Sequence, residues 1–355
     1  MKSRSFLAFS LAYGLVACAS IVHRDPPPSA PPPAAPAETA QKPAEPPPVA
    51  EAPKLLPIRK KGESAFAGAK LFVDHEHRVQ KLADTMKKTK PAEAAALAKI
   101  ASQPTAEWLG EWNPNIELAG RVRTAKANEE GAVAVYVVYN IPNRDCGQYS
   151  KGGLSRADAY QAWIRSLAKG IGKGRAAVVL EPDALGLLTK CLSPKDQEVR
   201  LGLLRDAVEV LEANGNTGVY LDAGNPHWMP ANQMAERLKA AGIDKADGFA
   251  LNVSNYMTTK ENVEYGQAIS RLVGGKHFVI DTSRNGKGPT ADFDWCNPHG
   301  RGTGHRPTAE TGEPLVDAFL WIKRPGESDG ECKGGPRAGE FWVEMAVELA
   351  NNGSE

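Results

Sequence analysis

Short apolar, β-branched runs recur along the chain at Thr105 to Leu109, Val133 to Tyr139, Ala176 to Leu180, Gly218 to Leu221, Phe249 to Val253, His277 to Ile280 and Ala318 to Ile322. Between several of them lie helical patterns, at Arg156 to Ala168, Lys195 to Asn214, Ala231 to Ala241 and Lys260 to Leu272, and a last one spans Gly339 to Asn351. Ahead of these, Leu71 to Lys87 and Ala92 to Ala101 also read as helices, the second following Pro91, which is well tolerated in a first helical turn. Runs such as Ala177 to Leu180 lack polar alternation, as strands buried on both faces do, and strands alternating with helices argue for a parallel sheet with helices outside it. The expected fold is therefore α/β, a distorted, seven-stranded parallel β/α barrel of the TIM type; a doubly wound open sheet has the same periodicity. Gly170-Ile171-Gly172-Lys173-Gly174 precedes a strand instead of following one, so its glycines read as helix-end caps and not as a nucleotide-binding turn.

Upstream the pattern changes. Lys2 and Arg4 precede an apolar run from Phe6 to Val16, too short to cross a bilayer as a mature helix, and Leu15-Val16-Ala17-Cys18 follows. That ending resembles a bacterial lipobox, which predicts removal of residues 1–17 and a lipid anchor on Cys18; an ordinary signal peptide cut slightly later is the alternative. Ala19 after the cysteine resembles an outer-membrane address, so the expected location is an exported one: an outer-membrane lipoprotein or the cell surface, alternatively secreted. Residues 18–57 are rich in Pro and Ala, as in Pro26-Pro27-Pro28 and Pro46-Pro47-Pro48, and read as a semi-rigid spacer ahead of the folded body, residues 58–355.

Lys and Arg number 43 against 42 Asp and Glu, which leaves no charge excess to attract nucleic acid. The four body cysteines, Cys146, Cys191, Cys296 and Cys332, include no C-x-x-C pair, so zinc is not expected; in an exported chain they predict two disulfides, with three pairings open. His75 and His77 fall on an expected surface helix, and His299 and His305 in a Gly/Arg loop; none reads as a metal ligand. No cofactor motif is present, a monomer is expected, and membrane contact is expected only through the lipid anchor.

The chemistry gathers where strands end. Glu181-Pro182-Asp183 breaks the strand ending at Leu180, because proline cannot donate to a sheet ladder, and puts Asp183 at the edge where a barrel's side chains converge on substrate. As an alternative, Asp183 caps a helix beginning near Ala184. Asp145, Asp222 and Asp329 also follow strands; each has a plainer role open to it, as a carboxylate paired with a nearby Arg, a structural hydrogen-bonding group, or a turn residue before Gly330. Trp108, Trp228, Trp295 and Trp321 fall at or beyond strand ends, where indoles pack in a core or offer a face to sugars. Carboxylates with aromatic platforms and no nucleophilic triad point to glycoside hydrolysis, in which one carboxyl is kept protonated by burial or by a neighbouring carboxylate. Asp183 is the better-buried candidate for that acid, with Asp145 as the neighbouring charge.

At these residues the chain resembles glycoside hydrolase family six, the endoglucanases and cellobiohydrolases. The resemblance runs from about Trp108 to the last helix, through Val-Tyr-Asn-Ile-Pro-Asn-Arg-Asp-Cys, Leu-Glu-Pro-Asp-Ala-Leu, Leu-Asp-Ala-Gly, Asn-Val-Ser-Asn-Tyr, Asp-Thr-Ser-Arg-Asn-Gly, Asp-Trp-Cys-Asn-Pro and Trp-Ile-Lys-Arg-Pro-Gly-Glu-Ser-Asp-Gly. It implies a distorted seven-stranded barrel and inverting cleavage of β-1,4-glucan without a metal. It further implies Asp183 as general acid, Asp145 as the group that raises the acid's pKa and positions water, Tyr139 beside the distorted sugar, and Asp329 as candidate base, unless water relays the proton. Trp108, Trp228 and Trp295 match sugar-stacking positions, Lys323 and Glu327 match residues binding sugar hydroxyls, and Asp222 and Asn255 fall in matching motifs as substrate-binding candidates. The implied disulfides are Cys146–Cys191 and Cys296–Cys332. Two departures stand out: Asn225 replaces a histidine common after Asp-Ala-Gly, and either Ser150 or Lys151 occupies the place of a water-holding serine. Compact cysteine-bounded loops favour an open cleft and endo action on a β-glucan; exo action and a non-catalytic glucan-binding lipoprotein are the alternatives.

Overall fold

The structure, a computed structural model, describes residues 56–60 and 62–353; the leader, Cys18 and the spacer as far as residue 55 lie outside them. All seven expected strands are present: β2 (Glu107–Leu109), β3 (Ala132–Val138), β4 (Ala176–Leu180), β5 (Thr217–Asp222), β6 (Gly248–Leu251), β7 (His277–Asp281) and β8 (Val316–Leu320). A two-residue strand, β1 (Lys70–Leu71), joins them. Every pairing between these strands is parallel, in the order β1-β3-β4-β5-β6-β7-β8; β1 flanks the start of β3 at Ala132, while β2 flanks its end at Tyr136 to Val138. The sheet curls until β2 and β8 meet at the mouth, where Ala106 N–H donates to Trp321 O at 3.1 Å and Trp108 Nε1 donates to Ile322 O at 2.9 Å. The result is the distorted barrel expected.

Alternation along the strands builds two cores. Val133, Val135, Val137 and Tyr139 point inward with Ala177, Val179, Tyr220, Val279, Ala318 and Leu320, filling the barrel. Ala132, Ala134, Tyr136 and Val138 point outward with Val178, Leu180, Val219, Leu221, Phe278 and Ile280, against the helices. A strand with both faces covered needs apolar residues at every position, which is why these runs stood out in the sequence. Leu56 packs against the inner core and Pro57 O accepts from Arg175 Nη2 at 2.6 Å, so the end of the spacer lies on the body.

The helices are α1 (Arg78–Met86), α2 (Pro91–Ala101), α3 (Ile116–Glu129), α4 (Ala157–Ile171), α5 (Pro194–Glu212), α6 (Ala231–Ala240), α7 (Thr259–Leu272) and α8 (Val343–Asn351). Two expectations are corrected, and one helix, α3, joins those expected. Leu71 to Lys87 is not one helix: β1 comes first, and His77 caps α1, its Nδ1 accepting from Val79 N–H at 3.3 Å. Burial depresses that imidazole to about 4, which keeps it neutral and able to accept. α3 went unforeseen because its buried face is Ile116, Gly120, Thr124, Ala127 and Asn128, small and polar residues set by close approach to α4 and not by an apolar stripe. No helix begins at Ala184, where turns run from Pro182 to Lys190, so Asp183 caps none.

Candidate active site

The carboxyl ends of the strands carry a cluster of non-glycine residues in the left-handed region: Asn143, Asp145 and Cys146 after β3, Glu181 and Asp183 after β4, Asn252 and Ser254 after β6. Each such residue costs on the order of 1 kcal/mol, and its surroundings must over-determine it. Glu181 supplies part of that. Buried behind the mouth, it accepts Asn140 N–H on both carboxylate oxygens at 2.9 and 3.1 Å, while its own N–H donates to Val138 O at 2.8 Å. Burial raises it to about 7, and these bonds pin the ends of β3 and β4 together.

Asp183, at φ +70°, therefore emerges beside Tyr139 on the wall of a cavity of about 370 Å³. Its N–H donates to Asp222 Oδ2 at 2.9 Å, and the same oxygen accepts Gly224 N–H at 3.2 Å. Burial first, then the Asp222 and Asp145 charges, push the Asp183 carboxyl well above the usual range, with Lys323 opposing. Asp222 is itself raised to about 7 by burial. Asp145 is raised too, chiefly by burial; it accepts Ser150 N–H at 2.8 Å. The neighbouring Arg144 does not pair with it. That guanidinium grips Glu111 at 2.6 Å, donates to Tyr139 O at 2.7 Å and Ser150 O at 2.8 Å, and lies over the Tyr139 ring at 4.6 Å. Among the described residues no cation lies within ion-pair distance of Asp145, Asp183 or Asp222.

Across the mouth the electrostatics reverse. Asp329 accepts Arg284 Nη1 at 2.8 Å and Asn297 N–H at 3.1 Å, with Lys323 Nζ at 3.7 Å; Arg284 first, then Lys323, hold its carboxyl below the ordinary value despite burial. Arg284 is fully buried over the Tyr256 ring. Asp281, the last residue of β7, accepts N–H groups from Ser254 at 3.0 Å, Ser283 at 2.9 Å, Ile322 at 3.2 Å and Lys323 at 2.9 Å, gathering three strand ends around one carboxylate.

The aromatic wall is fixed by backbone. Trp228 lies flat on two glycines: a Cβ at Gly186 or Gly224 would come within 2.6 or 2.9 Å of the indole. Trp108 meets Tyr139 edge-on at 5.3 Å and Lys323 Nζ at 5.9 Å. Trp295 is exposed and approaches Tyr149 at 6.1 Å. Two disulfides, Cys146–Cys191 and Cys296–Cys332, brace the loops bearing Asp145 and Trp295. Of the sequence candidates, Trp108, Tyr139, Asp145, Ser150, Asp183, Trp228, Asn255, Trp295, Lys323 and Asp329 line the cavity. Asp222 and Glu327 do not: Asp222 lies beneath Asp183, and Glu327 pairs with Arg324 at 3.3 Å. Lys151 is absent from the lining, whereas Asn225 takes part. Trp321 is core, its Nε1 donating to His305 O at 3.0 Å. Sequence reasoning missed Glu181, Asp281 and Arg284 as organisers. The signal available was an acid at the end of an apolar strand, Glu181 after β4 and Asp281 closing β7, with Arg284 three residues beyond.

The sequence profile of the glycosyl hydrolases family 6 matches residues 66–353. The chain belongs to glycoside hydrolase family six. Within it, the chain is 46% identical over 260 residues to Endoglucanase A of Cellulomonas fimi, covering 73% of this chain and 56% of that one. It is 43% identical over 265 residues to Endoglucanase 1 of Streptomyces halstedii, covering 72% and 81%. The chain thus spans little more than half the length of the Cellulomonas protein. Among solved family-six structures, the endoglucanase Cel6 from Mycobacterium tuberculosis, in complex with methyl-cellobiosyl-4-deoxy-4-thio-β-D-cellobioside, superposes with a TM-score of 0.78 at 42% identity, covering 81% of this chain and 98% of that one.

Proposed function

We propose that this family-six chain hydrolyses internal β-1,4-glucosidic bonds of cellulose or a related β-glucan with inversion. The observation that carries the reading is Asp183, a carboxyl left without a cation partner, raised by burial and by Asp222 and Asp145, on the wall of an indole-lined cavity. Such a group holds its proton near neutrality and gives it to the glycosidic oxygen as that bond to the anomeric carbon breaks. Water attacks the same carbon from the opposite face, losing its proton and leaving an α-anomer.

Asp329 is the candidate base, yet Arg284 and Lys323 lower its proton affinity. That favours a relay in which the attacking water passes its proton through further water at Asp145 and Ser150, with Asp329 supplying negative charge and orientation. Trp108, Trp228 and Trp295 would stack sugars and Tyr139 would stand beside the reacting one; Lys323 and Asn255 would meet hydroxyls, and Glu327 would reach them only through Arg324. The relatives' names support endo action. One contact favours the exo reading instead: Tyr149 and Trp295 approach at 6.1 Å where the two disulfide-braced loops face each other. The leader-like residues 1–17, Cys18 and the disulfides support export, with the body on a lipid-anchored spacer.

A panel of soluble and insoluble glucans tests the whole. The expected result is a steep fall in viscosity per reducing end and α-anomer as the first product by proton NMR. First-formed β-anomer overturns the mechanism, and reducing ends accumulating without viscosity loss overturn endo action. Palmitate labelling that survives Cys18→Ala overturns the anchor.

A further inference from the structure

The cavity rim carries a second aromatic construction besides the indoles. His227, in the loop after β5, and Phe293, in the loop after β7, stack on each other with ring centroids 4.1 Å apart and planes 27° apart, and both line the cavity. Both are exposed, Phe293 at 45%. Phe293 also holds φ +55°, a region costly for a bulky side chain. Little packing compensates that cost, yet the backbone that bears the ring is tied down. Thr290 accepts Phe293 N–H at 3.0 Å and, on Oγ1, Asp294 N–H at 2.9 Å; Lys333 pairs with Asp294, and Cys296 is bonded to Cys332. On the other side Glu261 Oε1 meets His227 Nε2 at 3.1 Å, and Asn225 Oδ1 accepts His227 N–H at 3.0 Å. Strain retained at an exposed aromatic whose loop is cross-linked is a mark of a binding surface.

We propose that His227 and Phe293 form a further sugar subsite that stacks a glucosyl unit of a β-1,4-glucan chain extending past Trp228 and Trp295. His227 covers one face of the phenyl ring, which leaves the other for the C–H face of a pyranose. With Nε2 held by Glu261, the imidazole offers Nδ1 to a sugar hydroxyl. Short oligosaccharides bound at the cleavage point do not reach this pair; long ones do. The subsite rests on the glucanase reading above.

The test compares kcat/KM on cellotetraose and cellohexaose for the full chain and for Phe293→Ala, His227→Ala and Phe293→Trp. A stacking contact predicts that the hexaose-to-tetraose ratio falls about fivefold to tenfold in Phe293→Ala. His227→Ala gives a smaller fall in the same direction, and Phe293→Trp restores the ratio. An unchanged ratio in Phe293→Ala, with the wild type active, overturns the subsite and leaves the glucanase reading intact. A wild type that cleaves neither sugar overturns the glucanase reading, and the subsite with it.

Discussion

Both ends of the barrel set neighbouring carboxylates, buried or half-buried, next to a cavity. At the amino-terminal end of the strands, Glu212 and Asp247 border a space of about 650 Å³, larger than the one at the mouth. Burial, then Asp247, raise Glu212 to about 9, just as burial and Asp222 raise Asp183. A perturbed acid and a large cavity therefore do not separate a working site from a structural one. What differs is the company. At the bottom Arg59, nearly buried, reaches Glu212 at 3.1 Å, Asp247 at 2.9 Å and Thr217 O at 2.8 Å, and the surrounding wall is glycines and charged residues. At the mouth Arg284 holds Asp329 alone; among the described residues Asp145, Asp183 and Asp222 have no arginine on them, with strained backbone beneath and stacking rings around them. A raised carboxyl points to catalysis where a substrate can reach its proton and no fixed cation compensates it.

The comparison breaks first at Asp183. Replacing it with Asn should cut the rate on a soluble β-glucan by roughly 10²- to 10⁴-fold, the usual worth of a positioned acid, with no loss of Tm. Rate measurements beside thermal melts decide this; a lowered Tm with a preserved rate would make the mouth a second structural end. At the bottom Arg59→Ala should do the reverse. Stripping the cation from two half-buried acids should cost about 3–5 kcal/mol in urea unfolding, while the folded enzyme keeps its kcat. A loss of kcat there, with stability intact, would erase the distinction.

The finest test concerns how the mouth holds its proton. Asp222→Asn removes a negative charge that raises Asp183, so Asp183 should release its proton at lower pH and the alkaline limb of kcat/KM should move down. An unmoved limb would assign the raised acid to burial and Asp145 without Asp222.

Much of this was visible in the residues themselves. Strands buried on both faces leave unbroken apolar runs, so β2 to β8 could be read, and Pro182 marked where Asp183 leaves its strand. What could not be read is direction. Asp281, which accepts four backbone N–H groups, and Asp145, which faces the cavity, are both acids near strand ends, and nothing local tells which turns inward. The capping role of His77 and the small buried face of α3 were hidden for a related reason: each depends on a neighbour distant in the chain or on a turn whose geometry the apolar pattern does not encode.

Asp281 carries one more implication. Because a single carboxylate ties the tips of β6, β7 and β8 from within, the connecting segments above them do not have to hold the floor of the cleft in place. They are free to grow, shrink or change their surface chemistry while the carboxylates at the mouth stay where they are.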